Sequence, residues 1–487
     1  MHELAVSSEE SDVPIERIKI GYIGGGSRSW ATTLMNDLAQ CTDIAGEVTL
    51  YDVDYDSAQQ NAELGEWIQS HDRAVGDWEY EAVRTMEEAL DKADFVIVST
   101  QDPPAETMAK DLELPQEYGI YQTVGDTVGP GGTLRAMRAI PQYRQIAAAV
   151  RDHCPNAWVI NYTNPMTVCT RALYEEYPDI NAVGLCHEVF KIQALFAELI
   201  EKYLGAEDVP REEIGVNVKG INHFTWVDEA YWRGEDIFDL ITKWIDEREP
   251  VPRFEPGDLK DESYFVDHDD VTINLYQQFD VLPAAGDRHL VEFVPWYLSV
   301  DEAEEVQRWG IRLTPSEYRV NHWPEGEKER QKRFESDDAF EFYESGEEAV
   351  EWMRALLGIE SLKTHANTPN VGQCPDLPKG AVVETNVLVT SDSVKPLSAG
   401  ALPAEVRNMV LTHVNNQETL IEAGFEGNVD LAYQAFLNDA LVTIDATDAR
   451  ELFTRLVEAE REYLTHWNLE GSEILRTESK STSRANI

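Results

Sequence analysis

The stretch RIKIGYIGGGSRSW (17–30) constrains this chain more than any other, because a short apolar strand runs into three consecutive glycines and then into a helix start. Gly24, Gly25 and Gly26, followed by Ser27, let the backbone come close to an anionic ligand, and the N–H groups opening the next helix form a ready anion site. The helical TTLMNDLAQ leads to a second strand, EVTLYDVD (47–54), whose end places Asp52 or Asp54 about 28 residues after the first of those glycines. A carboxylate there accepts hydrogen bonds from a ribose diol and repels a 2′-phosphate, which favours NAD over NADP.

The same alternation continues. EYEAVRTMEEALDKA (79–93) reads as a helix and DFVIVSTQ (94–101) as a buried strand; VGDTVGPGGTLRAMRAIP (124–141) is a glycine-rich turn entering a helix, and AWVINYTNP (157–165) is a further strand. Strands and helices in this order predict an α/β fold, a Rossmann-like doubly wound domain over residues 17–200. The polar end Asn161–Pro165, with Asn161 toward the cofactor, lies at the carboxyl edge of a strand, where open α/β sheets bind ligands. Asp126, Thr127 and Arg135, in or just beyond the glycine-rich turn, could face the nicotinamide end of a cofactor, the alternative being a plain loop and helix cap.

Two strand-like runs, AVGLC and VNVKGINHF, each end in a polar turn and offer Cys186 and His223. A thiolate and an imidazole can hold one divalent transition metal with positions left open for a substrate.

A chain of 487 residues is too long for one ordinary core. From residue 201 to 470 longer helical segments mix with strands, rich in Trp and acids, and predict a second α/β or α+β domain that carries the substrate. Residues 1–16 and 471–487 read as polar tails. VPRFEPGDLKDESYF (251–265) reads as an irregular connection, residues 323–353 as a solvated charged helix pair, and 367–386 as loop then strand. PAAGDRHLVEF (283–293) packs Asp287, Arg288, His289 and Glu292 into one turn.

Acids outnumber bases 91 to 40, for a formal net charge of −51, so the chain repels nucleic acid and anionic membrane surfaces. The acids are spread between apolar segments rather than gathered in a tail, which reads as a globular protein adapted to high salt. Five cysteines with no regular spacing argue against a disulfide framework and fit a reducing cytosol. No apolar run approaches the roughly 18 to 20 residues that span a bilayer. A cytoplasmic location is expected.

GYIGGGSRSW, YDVD, VGDTVGPGGTLRAMRAIP, NYTNPM, GLCHEVF and GINHFTW, in that order, resemble glycoside hydrolase family 4, the NAD- and manganese-dependent glycosidases. LPAAGDRHLVEF, VVETN and SAGALP look most like its alpha-galacturonidase branch. The resemblance implies a lactate/malate dehydrogenase-like fold, bound NAD and manganese(II), and oxidation of the sugar at carbon 3. Loss of the carbon-2 proton, elimination of the aglycone, addition of water and return of the hydride follow. It also implies a dimer or tetramer. By motif, Cys186 and His223 match the metal ligands, and Asn164 matches the substrate-binding asparagine. Lys110 stands where many members have a substrate-binding arginine. His187 sits at the position of a general acid. Asp287 is the favoured base, with Tyr276 in reserve. Asp126 is placed by the substrate, and Arg288 with His289 would meet a uronate carboxylate. A rival is an NAD-dependent 2-hydroxy acid dehydrogenase, which would produce net NADH and need no metal.

Overall fold

The computed structural model describes residues 16–101, 105–318, 320–321 and 340–476. Strands β1 (Glu16–Ile23), β2 (Ile44–Tyr51), β3 (Trp78–Val83), β4 (Phe95–Val98), β5 (Trp158–Asn161) and β6 (Asn181–Gly184) form a parallel array in the order 3-2-1-4-5-6. This is the nucleotide-binding strand order, whose reversal point lies between β1 and β4. Within β4 the side chains alternate: Val96 and Val98 join the core under the helix Gly129–His153, and Phe95 and Ile97 join the core under the helix Trp30–Gln40. A strand buried on both faces reads as a continuous apolar run, as FVIV does.

The second half of the chain begins with a hairpin, β7 (Ile214–Ile221) and β8 (Phe224–Trp232), to which β9 (Glu235–Asp236) and β10 (Leu282–Pro283) pair. The remaining strands, β11 (Leu362–Pro369), β12 (Val382–Thr390) and β13 (Ser393–Pro396), run antiparallel beside β6 and extend the first sheet to nine strands. The largest sheet therefore crosses the division expected at residue 200. Helices Ala404–Glu426, Val429–Leu437 and Ala446–Ala459 close the core below Gly129–His153.

Three local expectations change. Residues 79–83 of the expected helix 79–93 belong to strand β3, because Trp78 and Tyr80 point inward while Glu79 and Glu81 point outward, a period of two. Only Met86–Leu90 is helical, opened by a Thr85–Glu88 capping box. Of the expected charged helix pair, residues 322–339 lie outside the described residues; 340–348 is irregular, and the helix Ala349–Leu356 buries Trp352 and Met353. The tail expected from residue 471 starts docked: Ser472, Glu473 and Ile474 all hydrogen-bond the Asp430 carboxylate. Residues 1–15 and 477–487 lie outside the described residues.

Arg138, buried in the middle of the helix Gly129–His153, pairs with Asp111 at 2.7 Å and with Glu460. The three side chains tie the first half to the C-terminal helices, and their removal from water is compensated only while all three are present. Arg138→Met should leave two buried carboxylates unpaired and lower unfolding stability by about 3–5 kcal/mol. Denaturant titration followed by circular dichroism measures this.

Candidate active site

The carboxyl ends of β1, β4, β5 and β6 lie on one side of the sheet, and the turns that leave them converge. Gly24 has φ +84°, and a Cβ there would stand 2.1 Å from the Ser99 carbonyl oxygen. The Gly24 and Gly25 N–H groups donate to the Tyr51 carbonyl, the Gly26 N–H donates to Asp52 Oδ2 at 3.0 Å, and Asn61 holds the Gly25 and Ser27 carbonyls. Asp54 is committed as the N-cap of the helix Tyr55–Gln69, accepting from the Ser57 N–H and hydroxyl. Asp52, more buried, is the acid that closes the glycine turn.

Beyond this turn opens a cleft of about 430 Å³, lined by Asp126, Asn164, Cys186, His187, Glu188, Lys191, His223, Asp267, Arg288 and His289, with Trp30, Tyr162 and Phe265 as its aromatic walls. A larger depression of about 570 Å³ lies on the outer face of the β7–β8 hairpin. It does not gather these histidines. His223 sits in the two-residue turn between β7 and β8 with φ +64°. The left-handed region costs a non-glycine residue on the order of 1 kcal/mol or more, and such strain concentrates at functional sites.

Asp126 is oriented from both sides, its Oδ1 accepting from the Thr127 hydroxyl at 2.6 Å and its Oδ2 from Asn164 Nδ2 at 3.1 Å. Burial opposes its charge, yet His223, His289 and Arg135 hold its carboxyl well below the usual range. The turn that carries it is fixed by Glu292, which accepts from the Val124 and Gly125 N–H groups and the Thr123 hydroxyl. Burial and then His289 push His223 down to about 3, so its imidazole is neutral, the form that ligates a metal. Its ring stacks on His289 with centroids 3.7 Å apart. Glu188, held down at about 2 against its burial by His289 and His223, accepts from the Gly286 N–H and lies 3.6 Å from His289 Nε2.

Cys186 lines the same cleft. Burial, then Glu384 and Glu188, raise its thiol well above the ordinary value. Beside it, His187 places Nδ1 3.0 Å from Glu347 Oε1, and that hydrogen bond, opposed by burial, raises the imidazole's pKa. Arg288 donates from one terminal nitrogen to the Thr123 carbonyl and the Thr314 hydroxyl and lies over the Phe265 ring, while its buried Nε has no partner.

Four expected site residues stand elsewhere. Asp287 is fully buried, and its carboxylate accepts from the Val271 and Thr272 N–H groups and the Thr272 hydroxyl at the start of the helix Asp270–Phe279. Its hydrogen bonds make it a buried cap turned away from the cleft, and burial and then Asp267 raise its pKa well above the ordinary value. Tyr276 packs in the core of the hairpin with its hydroxyl on Thr242. The Asn161 side chain is spent inside the protein on Tyr143 and the Thr163 backbone. Lys110 reaches the Ala459 carbonyl on the outside of the helix layer. Conversely, Glu188, Lys191 and Asp267 line the cleft although no sequence motif marks them. Glu188 and Lys191 share a helix face three residues apart just after Cys186, a spacing the sequence does carry; Asp267 lies in an irregular run with no periodic signal.

The sequence model of the family "Family 4 glycosyl hydrolase" matches residues 19–202, and that of the family's C-terminal domain matches 218–442. The chain belongs to family 4 of the glycosyl hydrolases. Within family 4 it is 45% identical over 466 residues to an alpha-galacturonidase of Thermoanaerobacterium saccharolyticum, covering 94% of this chain and 99% of that one. It is 43% identical to an alpha-galacturonidase of Bacillus subtilis, over 91% of this chain and 98% of that one. The crystal structure of lplD from Bacillus subtilis superposes with a TM-score of 0.84 at 43% identity, covering 91% of this chain and all of that one. In this family 4 member the glycine turn, the cleft and the strained histidine turn all stand at one edge of the sheet.

Behind Cys186, Glu384 is fully buried, and burial raises its carboxyl to about 8, with Asn222 and Asn367 pulling it down and Glu188 pushing it up. A carboxyl whose folded pKa is raised above its unfolded value of about 4.3 loses stability as pH climbs from that value toward 8. Glu384→Gln should remove this loss. Compared with the parent chain, its stability at pH 8 should gain on the order of 3 kcal/mol relative to pH 5, measured by denaturant midpoints at both values.

Proposed function

We propose that this chain is an alpha-galacturonidase that releases galacturonate from short alpha-galacturonides, working in the cytoplasm as a dimer or tetramer with NAD and a divalent metal such as manganese. The observation that carries the uronate is Arg288. A largely buried guanidinium with only neutral hydrogen-bond partners, in a chain of net charge −51, is a cation kept for an anionic ligand. A carboxylate on carbon 6 of the sugar fits it, because charge-assisted pairs of this geometry are the strong ones. The identity with alpha-galacturonidases over nearly the whole chain supports the same reading.

Gly24, Gly25 and Gly26 leave the room that a pyrophosphate needs, and Asp52 stands at the strand end where a ribose diol is held. The neutral His223, the His289 ring stacked on it, the Asp126 carboxylate and the Cys186 thiol supply a donor set that suits a divalent ion. NAD supplies a reversible hydride acceptor for carbon 3, and the ion supplies Lewis-acid polarisation of the sugar oxygens.

The chain's own groups do the rest. Glu347 is acceptor-only when ionised, so the His187 Nδ1 carries a proton toward it, and the same carboxylate favours the imidazolium. A half-exposed imidazolium at the cleft lip protonates the leaving glycosidic oxygen from Nε2. Asn164 gives its Nδ2 to Asp126 and keeps an unpartnered buried Oδ1, an acceptor for a sugar hydroxyl. With Asp287 and Tyr276 away from the cleft, Glu188 and Asp267 are the carboxylates at hand for the carbon-2 proton.

Incubation with NAD, manganese and digalacturonate in deuterated water tests the reading. Released galacturonate should carry deuterium at carbon 2 without accumulation of NADH. Cleavage of an alpha-galactoside with digalacturonate left intact would discard the uronate, and net NADH production would point to a dehydrogenase. Arg288→Gln should lower kcat/KM for the galacturonide about a hundredfold, the equivalent of roughly 3 kcal/mol for a charged hydrogen-bonded contact, and change a neutral galactoside little.

A further inference from the structure

We infer that Phe265 is a positioning residue for the uronate: its ring covers one face of the Arg288 guanidinium and leaves the free edge of that group to the carboxylate on carbon 6 of the sugar. This rests on the proposed reading of Arg288 as the partner of an anionic substrate. The Arg288 Cζ lies over the Phe265 ring, 4.9 Å from its centroid, and both residues line the cleft. One terminal nitrogen, Nη2, is taken by the Thr123 carbonyl at 3.0 Å and the Thr314 hydroxyl at 2.7 Å. The other, Nη1, has no hydrogen-bond partner among the described residues, and Nε is buried without one. With a ring on one face and one nitrogen occupied, an incoming carboxylate meets the guanidinium at the edge that remains.

Phe265 is a large apolar side chain left 57% exposed. A single exposed ring needs no explanation by itself. What marks this one is how firmly the chain that carries it is held. Residues 254–268 form no helix or strand, yet the run is tied down on both sides of the ring. Before it, Gln307 Oε1 accepts from the Gly257 and Leu259 N–H groups, and Arg312 donates to the Glu262 carbonyl. After it, Arg248 and Arg253 both donate to the His268 carbonyl, and Lys191 bridges Asp267 and Asp269. Tyr318 meets Phe265 edge-on with centroids 6.1 Å apart, and Tyr264 lies against the same Tyr318. The segment that supplies Tyr318 also supplies Thr314, so one run of chain supports both the ring and the guanidinium.

A ring over a guanidinium attracts the cation through its π face. It also keeps water off that face, so the attraction toward a carboxylate is damped less than in open solvent. Both effects act on a substrate that carries charge at carbon 6. A neutral galactoside, with a hydroxymethyl group there, gains neither.

Steady-state kinetics of the full chain with NAD and manganese test this, over a range of salt, with digalacturonate and an alpha-galactoside as substrates. Phe265→Leu keeps apolar bulk and loses the π face, and it should raise KM for digalacturonate about tenfold with kcat held within about twofold. Its KM should climb more steeply with salt than the parent's, because a solvent-exposed ion pair is screened and a covered one is screened less. Phe265→Tyr should restore the parent's values, and Phe265→Leu added to Arg288→Gln should lower kcat/KM no further. An unchanged KM in Phe265→Leu, an equal loss on the galactoside, or additive losses in the double variant would overturn the inference and leave Arg288 as the uronate's partner. Digalacturonate cleaved as well by Arg288→Gln as by the parent would overturn the reading on which the inference rests.

Discussion

A carboxylate buried against backbone N–H groups holds the two halves of this cleft together. Glu292 belongs to the short helix Asp287–Phe293 in the second half of the chain, yet its acceptors are filled by Thr123, Val124 and Gly125 from the first. One turn earlier, Arg288 donates to the Thr123 carbonyl, and the Thr123 hydroxyl, with one proton to give, lies against both the Arg288 carbonyl and Glu292. The turn and the helix are therefore one rigid unit. Asp126 projects from one side of it and Arg288 and His289 from the other, so the relative positions of these three are set by this unit. A buried carboxylate with several N–H donors is stable only while every donor is in place, which makes this unit all-or-none.

That dependence explains what was legible in the sequence. Gly24 to Gly26 were legible because a strand and a tight turn are local, and the positive φ at Gly24 leaves glycine as the residue that fits; the strand-end acid was legible only as Asp52 or Asp54, and the Gly26 N–H contact sets Asp52 apart. His223 was legible as a residue in a polar turn, and Cys186 reaches the cleft as expected. The stacking of His289 on His223 was not, because it joins positions 66 residues apart through the Glu292 unit, and no periodicity in either segment encodes it. Asp287 misled for a related reason. In the GDRH turn its neighbours face the cleft, while its own carboxylate turns inward to cap the helix Asp270–Phe279. The segment EYEAV carried a readable signal that its glutamates masked, since Glu favours helix but the buried Trp78 and Tyr80 alternate as in a strand.

A net charge of −51 raises the question of how such a chain would take an anionic sugar. Surface carboxylates act through water and ions, and their reach falls from about 8 Å at physiological ionic strength to about 3 Å at 1 M. The cations at the cleft act at contact distance. Lys191 is neutralised there, bridged to Asp267 and Asp269 at 2.8 Å each, so it contributes little net field. Arg288 is different, since Glu292, Asp267, Asp126 and Glu188 act on it only through space. Burial lowers its pKa, but a guanidinium stays protonated at any working pH, so the cost of burying it is recovered when a carboxylate arrives. In an acid-rich protein the selective step is then a cation held at the cleft without a carboxylate bonded to it, rather than the overall field. Salt, by screening the surface, would strengthen the contrast between a substrate that carries a carboxylate and one that does not.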